Sequence, residues 1–442
     1  MRVCVIDIAG ASARLIEQTG AGKLWLRSLV TPPSPMRSVM PALTATVHAS
    51  MTTGAGVGTH GVVAGGIFRR QSAGVSLSER SNTLLNKKRF WHARRLPRML
   101  KTALVFWSNP LAGAADYVVG CHTYVPGRHN VPDQPAGLYA EIARAGGEFD
   151  LSMLYGPSAT WRCCQWISAA ARHVWATRKP DLQWVYMPGV NFECVRHGPE
   201  SEQAAEALRQ VDALAAQLAQ DVQADGSAVV VVSNGGYVPV HRAANPNYQL
   251  RQAGLLKLAQ GEGGTFIDLG ASRAFAMVDH QVAHVFCQDE SVRSEAAAAV
   301  AQDPAVAAVL PREDLVGPGL GRDRAGELMA LAAPDAWMSF CWWGAGEDAP
   351  EVARRFDPTG KCGYDPCELL PAPPGSSDGG DGIAAIDSAP QRVRGSRGLV
   401  SVPPADQCFW ASSADIPAPA DVTGVAQAIL EAVFGPSVRR TP

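Results

Sequence analysis

Residues 41–66 read PALTATVHASMTTGAGVGTHGVVAGG, and the rest of the chain is read outward from them. Thr44 stands just past a run of small and apolar residues. A helix-compatible segment, 47–53, follows it, and Gly-rich turns around His60 and Gly61 close the stretch. A hydroxyl at a helix start can ligate a metal or attack an electrophile, with free backbone amides nearby to hold an anion. The same pattern also suits a plain threonine N-cap, and the local sequence leaves both readings open.

On either side lie apolar runs separated by turn residues. Residues 3–9 form a buried-strand pattern interrupted by Asp7, a carboxylate costly to bury unless it meets a cation or donors. Residues 102–107, 182–187 and 228–232 are further strand runs. Residues 200–218 carry the 3.6-residue spacing of an amphipathic helix, and 420–433 read as a final helix. This alternation predicts an α/β fold, a mostly parallel sheet between helices, with its chemistry just past the carboxyl ends of the strands. Asp7, Thr44, Asn191 and Asn234 all fall near such positions.

The chain has 442 residues, 47% hydrophobic and 18% charged, with a formal net charge of -2. That is enough for one large core and gives no general electrostatic reach toward nucleic acid. A basic run from Arg69 to Lys101 carries no groove-reading motif and reads as a solvated face or as a lip for an anionic substrate. Ten cysteines without a CxxC pair suggest free thiols in a reducing compartment. With no secretory pattern and no twenty-residue apolar stretch, the cytoplasm is the expected location and no membrane partner is expected. His280 and His284 lie four apart beside Asp279, a spacing that fits metal ligands on a helix face as well as an alternating strand.

The stretch around Thr44 resembles the type I phosphodiesterase and nucleotide pyrophosphatase branch of the alkaline phosphatase superfamily. The blocks WVYMPGVNFECVRHGP (184–199), VVVVSNGGYVPV around Asn234, AFAMVDHQVAHVF around His280, FDPTGKCGYDP from Phe356 and VRGSRG from Val393 resemble one bacterial subgroup of it. The resemblance spans almost the whole chain. It implies a single alkaline-phosphatase-like domain over 1–436; within the chain, turn-rich sequence marks a cap or insert at 67–160, Pro, Gly, Ser and Asp enrichment a flexible loop at 371–389, and 437–442 read as a loose tail.

The resemblance also implies two-metal phosphoryl transfer, with a Thr or Ser nucleophile and Asp and His ligands. Carried onto this sequence, the nucleophile matches Thr44, but the ligand positions match Ala9, Asn191, Val195, Asn234, Gly235, Thr359 and Arg397. Neutral amides and a guanidinium disfavour a cation pair. The leading expectation is therefore a divergent protein that needs no cofactor and performs a metal-independent, non-hydrolytic biosynthetic reaction on a small anionic or polar substrate. Thr44, Asp7, His280 and His241 are its candidate catalytic groups, and Asn191, Asn234, Arg397, Tyr237 and Thr359 are its candidate substrate contacts. One alternative is a non-catalytic binding or scaffold protein, with a Trp-rich surface after 337 available to a protein partner. The other is a zinc- or manganese-dependent phosphodiesterase with a shifted ligand set of Asp7, Thr44, Asp279, His280 and His284.

Overall fold

A six-residue run, VCVIDI, is wholly buried because it is hydrogen-bonded on both sides by other apolar strands and covered by helices on both faces. The computed structural model describes the chain apart from residues 21, 23, 78, 121–130, 262–263, 318–319, 321–323, 345–346, 348, 358–359, 374–382 and 439–442. The central sheet contains β1 (Val3–Ile8), β2 (Thr31–Met36), β3 (Thr102–Val105), β4 (Tyr117–Val119), β5 (Asp133–Gln134), β6 (Leu182–Met187), β7 (Ala228–Val232) and β8 (Cys408–Ser412). Their spatial order is β2-β8-β7-β1-β6-β3-β4-β5. The inner five run parallel, and β2, β8 and β5 are antiparallel additions at the edges.

Helices Cys163–Arg178, Gly189–His197 and Glu202–Gln223 pack on one face of this sheet, the last started by the Ser201 hydroxyl accepting from the Ala204 amide. Val425–Phe434 covers the other face together with Trp107, Trp184 and Trp410. A second, antiparallel sheet pairs Ala274–Asp279, Val282–Cys287, Leu328–Ala332 and Val306–Pro311 in that order around its own apolar core. Among the described residues no helix is long and apolar enough to cross a membrane.

Several expectations are redrawn by the fold. The stretch 67–160 is not an insert as a whole: β3, β4 and β5 lie within it and belong to the central sheet, because the apolar run at 102–107 is a buried parallel strand. The basic run is not wholly a solvated face either. Arg89 is buried and donates to Thr52 Oγ1 and to the Ser108 and Asn109 carbonyls. Trp337 and Trp342 are core residues rather than surface. Of the expected loop at 371–389, residues 374–382 lie outside the described residues, while Ile386 and Asp387 are tied back to the Arg354 and Leu370 carbonyls. Most of the 437–442 tail also lies outside them. The nine described cysteines are buried.

One close approach fixes how the segment around Gly363 lies against the second sheet. Gly363 forms a bridge with Val278, has φ 118°, and a Cβ there would fall 2.2 Å from the Val278 carbonyl oxygen. The next residue, Tyr364, donates its amide to that same carbonyl at 2.9 Å. Gly363→Ala is therefore expected to cost about 2 kcal/mol or more of folding stability. An unchanged denaturant midpoint for that variant would show that the approach is slack.

Candidate active site

The carboxyl ends of β1, β6 and β7 lie side by side, with Asp7 opposite Tyr186 on one flank and Val232 on the other. The turn leaving β7 carries Asn234, and the first turn of the helix Gly189–His197 carries Asn191, to the same end of the sheet. The helix Thr44–Thr53 starts there too, but its N-cap is Leu43, which makes no side-chain cap. Thr44 is thus the first helical residue and not a cap, so its hydroxyl is released from backbone duty.

That hydroxyl is held by two donors. Asn234 Nδ2 reaches Thr44 Oγ1 at 3.1 Å, and Arg397 Nη2 donates to the same oxygen. Arg397 Nη1 donates to Asn234 Oδ1 at 2.7 Å, which closes a three-residue ring of hydrogen bonds. Beneath it the Asn234 amide donates to Asp7 Oδ1 at 3.0 Å, while Asp7 Oδ2 accepts from His48 Nε2 at 2.6 Å. His48 Nδ1 then lies 2.8 Å from Ser108 Oγ, and its ring stacks on Trp107 with centroids 3.6 Å apart. Because Nε2 faces a carboxylate it carries the proton, which leaves Nδ1 to accept from Ser108.

Above the ring opens a cavity of 310 Å³, lined by Thr44, Tyr186, Asn191, Tyr237, Asp279, His280, Tyr364 and Arg397 among others. Asn191 Nδ2 donates to the Tyr186 hydroxyl at 3.2 Å. The guanidinium of Arg397 lies 5.2 Å from the Tyr237 ring centroid. Burial works against its charge, but Tyr237, Tyr186, Asp279 and Asp7 outweigh that and hold its pKa up. Burial pushes the Tyr237 phenol up to about 12 and Asp279 up to about 6, with the Gly65 amide and Arg397 opposing the latter.

His280 sits at the tip of the hairpin between Ala274–Asp279 and Val282–Cys287, with φ 56°. A non-glycine residue in that region is uncommon and marks a conformation imposed by its surroundings. Met338 donates to its carbonyl at 2.6 Å, and its ring lies between those of Tyr364 and Tyr237, at 4.6 and 5.7 Å. Burial, reinforced by Arg397, holds its pKa well below the usual histidine value, so it faces the cavity as a neutral imidazole.

Thr44, Asn191, Tyr237, Asp279, His280 and Arg397 therefore share one cavity, with Asp7 and Asn234 buried directly under it. His241 does not join them: its side chain is 64% exposed and pairs with Asp335. His284 lies on a strand, not a helix face, and its Nε2 meets the Val63 carbonyl at 3.4 Å. Thr359 lies outside the described residues. Among the described residues, no three His, Cys, Asp or Glu side chains are grouped as a metal-ligand set. His48, Ser108, Tyr186 and Tyr364 were not singled out by the sequence. The position of His48, one helical turn after Thr44, is the one signal that could have found it.

The sequence model of the type I phosphodiesterase / nucleotide pyrophosphatase family matches residues 3–365. The chain belongs to that family. Solved structures of similar fold include phosphonoacetate hydrolase from Sinorhizobium meliloti 1021 in complex with phosphonoacetate, at 14% identity and TM-score 0.62, covering 98% of this chain and 95% of that one. An inactive variant of murine ectonucleotide pyrophosphatase / phosphodiesterase 5 in complex with AMP matches at 11% identity and TM-score 0.61, covering 100% of this chain and 97% of that one. A search of the curated proteins finds no match.

The buried titratable groups of this family member set its pH response. Burial lowers the pKa of His48, His60, His280 and His284, the second and last to about 4 and His280 well below the usual value. Unfolded histidines protonate near 6.5. At a pH of about 5 the unfolded chain therefore binds protons on His60, His280 and His284 that the fold refuses, with His48 shifted the same way, while the fold keeps two carboxyl protons, on Asp279 and Glu368, that the unfolded chain has lost. The surplus of protons on the unfolded side means that stability falls as pH drops below about 6.5, by on the order of 1 kcal/mol or more per pH unit. Above that, Glu368, pushed up to about 8 by burial, gives a shallow decline as pH rises. Denaturant midpoints should peak between about pH 6 and 7. A higher midpoint at about pH 5 than at about 6.5 would contradict this balance.

Proposed function

We propose that this chain uses the Thr44 cavity to hold the anionic group of a small substrate with Arg397 and Asn234 in place of a two-metal centre, and carries out metal-independent, non-hydrolytic chemistry of a biosynthetic kind there. The observation that carries this reading is the hydrogen-bonded ring of Thr44, Asn234 and Arg397. Family membership supports an inherited cleft, and two solved structures of similar fold hold phosphonoacetate and AMP, both phosphorus oxyanions.

The donors around Thr44 are a poor fit for two divalent cations. A guanidinium lies directly against the hydroxyl, and a cation placed beside it would meet like charge at contact distance. Both oxygens of Asp7 are engaged, one by His48 and one by the Asn234 amide. The shifted set of Asp7, Thr44, Asp279, His280 and His284 fares no better, since His284 is turned to Val63. Guanidinium and amide N–H groups suit a phosphate or carboxylate, and charge-assisted bonds of that kind are the strong ones. His280, neutral and at the cavity wall, is then the acid-base group, with Tyr237 and Asn191 as contacts to the substrate.

A second reading has its own observation. Two donors on Oγ1 occupy both acceptor positions of Thr44, so it cannot attack until one of them turns away. That favours a binding protein without turnover.

Metal analysis of untagged protein, with and without chelator, separates these readings from conventional hydrolysis. The expected results are zinc and manganese well below one per chain, no loss of thermal stability on chelation, and no phosphodiesterase activity. Arg397→Met should weaken binding of inorganic phosphate about tenfold or more. Near-stoichiometric zinc together with chelator-sensitive diester hydrolysis would overturn the proposal. Turnover of any bound compound that is lost in His280→Ala would remove the binding-only reading.

A further inference from the structure

The wall of the same cavity carries a second charged cluster, from residues the reading above does not use. Lys361, Asp365 and Glu368 all line it. The Lys361 ammonium is fully buried, donates to Asp365 Oδ2 at 2.9 Å and to Glu368 Oε1, and lies 5.6 Å from the Phe340 ring centroid. Asp365 is satisfied on both sides, since its Oδ1 accepts the Cys367 amide at 3.0 Å. Glu368 is not. Its Oε1 takes Lys361 and a long bond of 3.4 Å from the Asp357 amide, whereas Oε2 is buried with no hydrogen-bond partner.

One ammonium and two carboxylates leave a surplus negative charge in a side chain that is 5% exposed. A lysine and one aspartate would complete a structural ion pair, so the second acid is not needed for that role. Burial drives a proton onto Glu368 in the free protein, which relieves the surplus. A ligand cation arriving at Oε2 does the same by direct pairing. Lys361 is tied to Asp365 and Glu368, and Arg397 to Asn234 and Thr44 through its two Nη atoms; of the two acids in the cluster, Glu368 alone keeps an oxygen without a partner.

We propose that the cavity is two-ended: Arg397, Asn234 and Thr44 take the anionic end of the substrate, and Glu368 Oε2 takes an ammonium at its other end, so that the substrate class is an amine-bearing phosphate or phosphonate. This rests on the reading of Arg397 as the anion holder. Tyr364, whose ring packs against His280 and which directly precedes Asp365 in the chain, links the two ends.

Calorimetric titration with ω-aminoalkyl phosphates, from aminoethyl to aminohexyl, and with alkyl phosphates of matching length tests this directly. At least one amino member should bind the wild-type protein about tenfold or more tightly than its unaminated partner. Glu368→Gln should remove that advantage while leaving alkyl phosphate affinity as in the wild type, which also shows that the variant is folded. No advantage at any chain length, or one that survives in Glu368→Gln, overturns the two-ended site. If alkyl phosphates do not bind the wild type at all, the Arg397 reading fails and takes this one with it. If they bind and the amine adds nothing, only the two-ended site fails. Should Glu368→Gln not fold, the wild-type comparison of aminoalkyl with hydroxyalkyl phosphates decides, and equal affinity overturns the proposal.

Discussion

A guanidinium buried against a threonine hydroxyl must have its charge answered from within the protein, and much of the local architecture follows from answering Arg397. Its side chain is bonded to Thr44 and Asn234. Its carbonyl accepts the Gln281 amide from the hairpin that carries His280, and the carbonyl of the next residue, Gly398, accepts the Ala42 amide just before the Thr44 helix. Gly395–Ser396 pairs with Val238–Pro239, the segment that follows Tyr237. Three stretches distant in sequence are thus registered on one short segment. Asp7 supplies a compensating carboxylate from an inner strand of the parallel sheet.

This arrangement decides what Thr44 can do. Its hydroxyl is presented at a helix start and points at a cavity, as a nucleophile's would. Yet its acceptor capacity is filled by an amide and a cation. The same two donors that would stabilise an alkoxide also compete for the lone pair that would attack. Under the proposed function a ligand anion would change the balance, because it would offer Arg397 a better acceptor than a neutral hydroxyl. Binding and release of Thr44 would then be coupled through a single side chain.

The sequence made the framework legible and the second shell of the site opaque, for different physical reasons. Strands β1, β6 and β7 are continuous apolar runs because they are buried on both faces, a signal that survives without any tertiary knowledge. Edge strands such as Asp133–Gln134 have two residues and no pattern, and the apolar run of β3 lies among turn-rich sequence, so 67–160 reads as an insert although three of its strands complete the sheet. Thr44, Asn234 and Arg397 were found through the order of motif blocks. His48 was not, because one histidine a helical turn below a threonine has no signature until Asp7 is seen beside it. His241 was misplaced for the converse reason: it is near Tyr237 in sequence, but the chain leaves the cavity through Val238–Pro239 before reaching it. Asp365 accepts the Cys367 amide as a turn residue does, and that it also holds Lys361 is a tertiary fact.

A family fold can persist at 11–14% identity to solved structures because burial constrains only the character of the sheet residues, and many apolar sequences satisfy it. The site residues obey a harsher rule. They sit at strand ends and turns, where a charge must be matched by its neighbours. Asn in place of an acidic ligand removes a negative charge, and an arginine among those amides restores a positive one fixed to the chain. Taken singly, each change leaves an unmatched charge or an unpaired donor in a buried place. Taken together, Asn234 and Arg397 answer each other and Thr44, while Asn191 Oδ1 and Arg397 Nε stay buried without a partner. Such a set is more stable as a set than piecemeal, and under the proposed function those two atoms are the ones a ligand would satisfy.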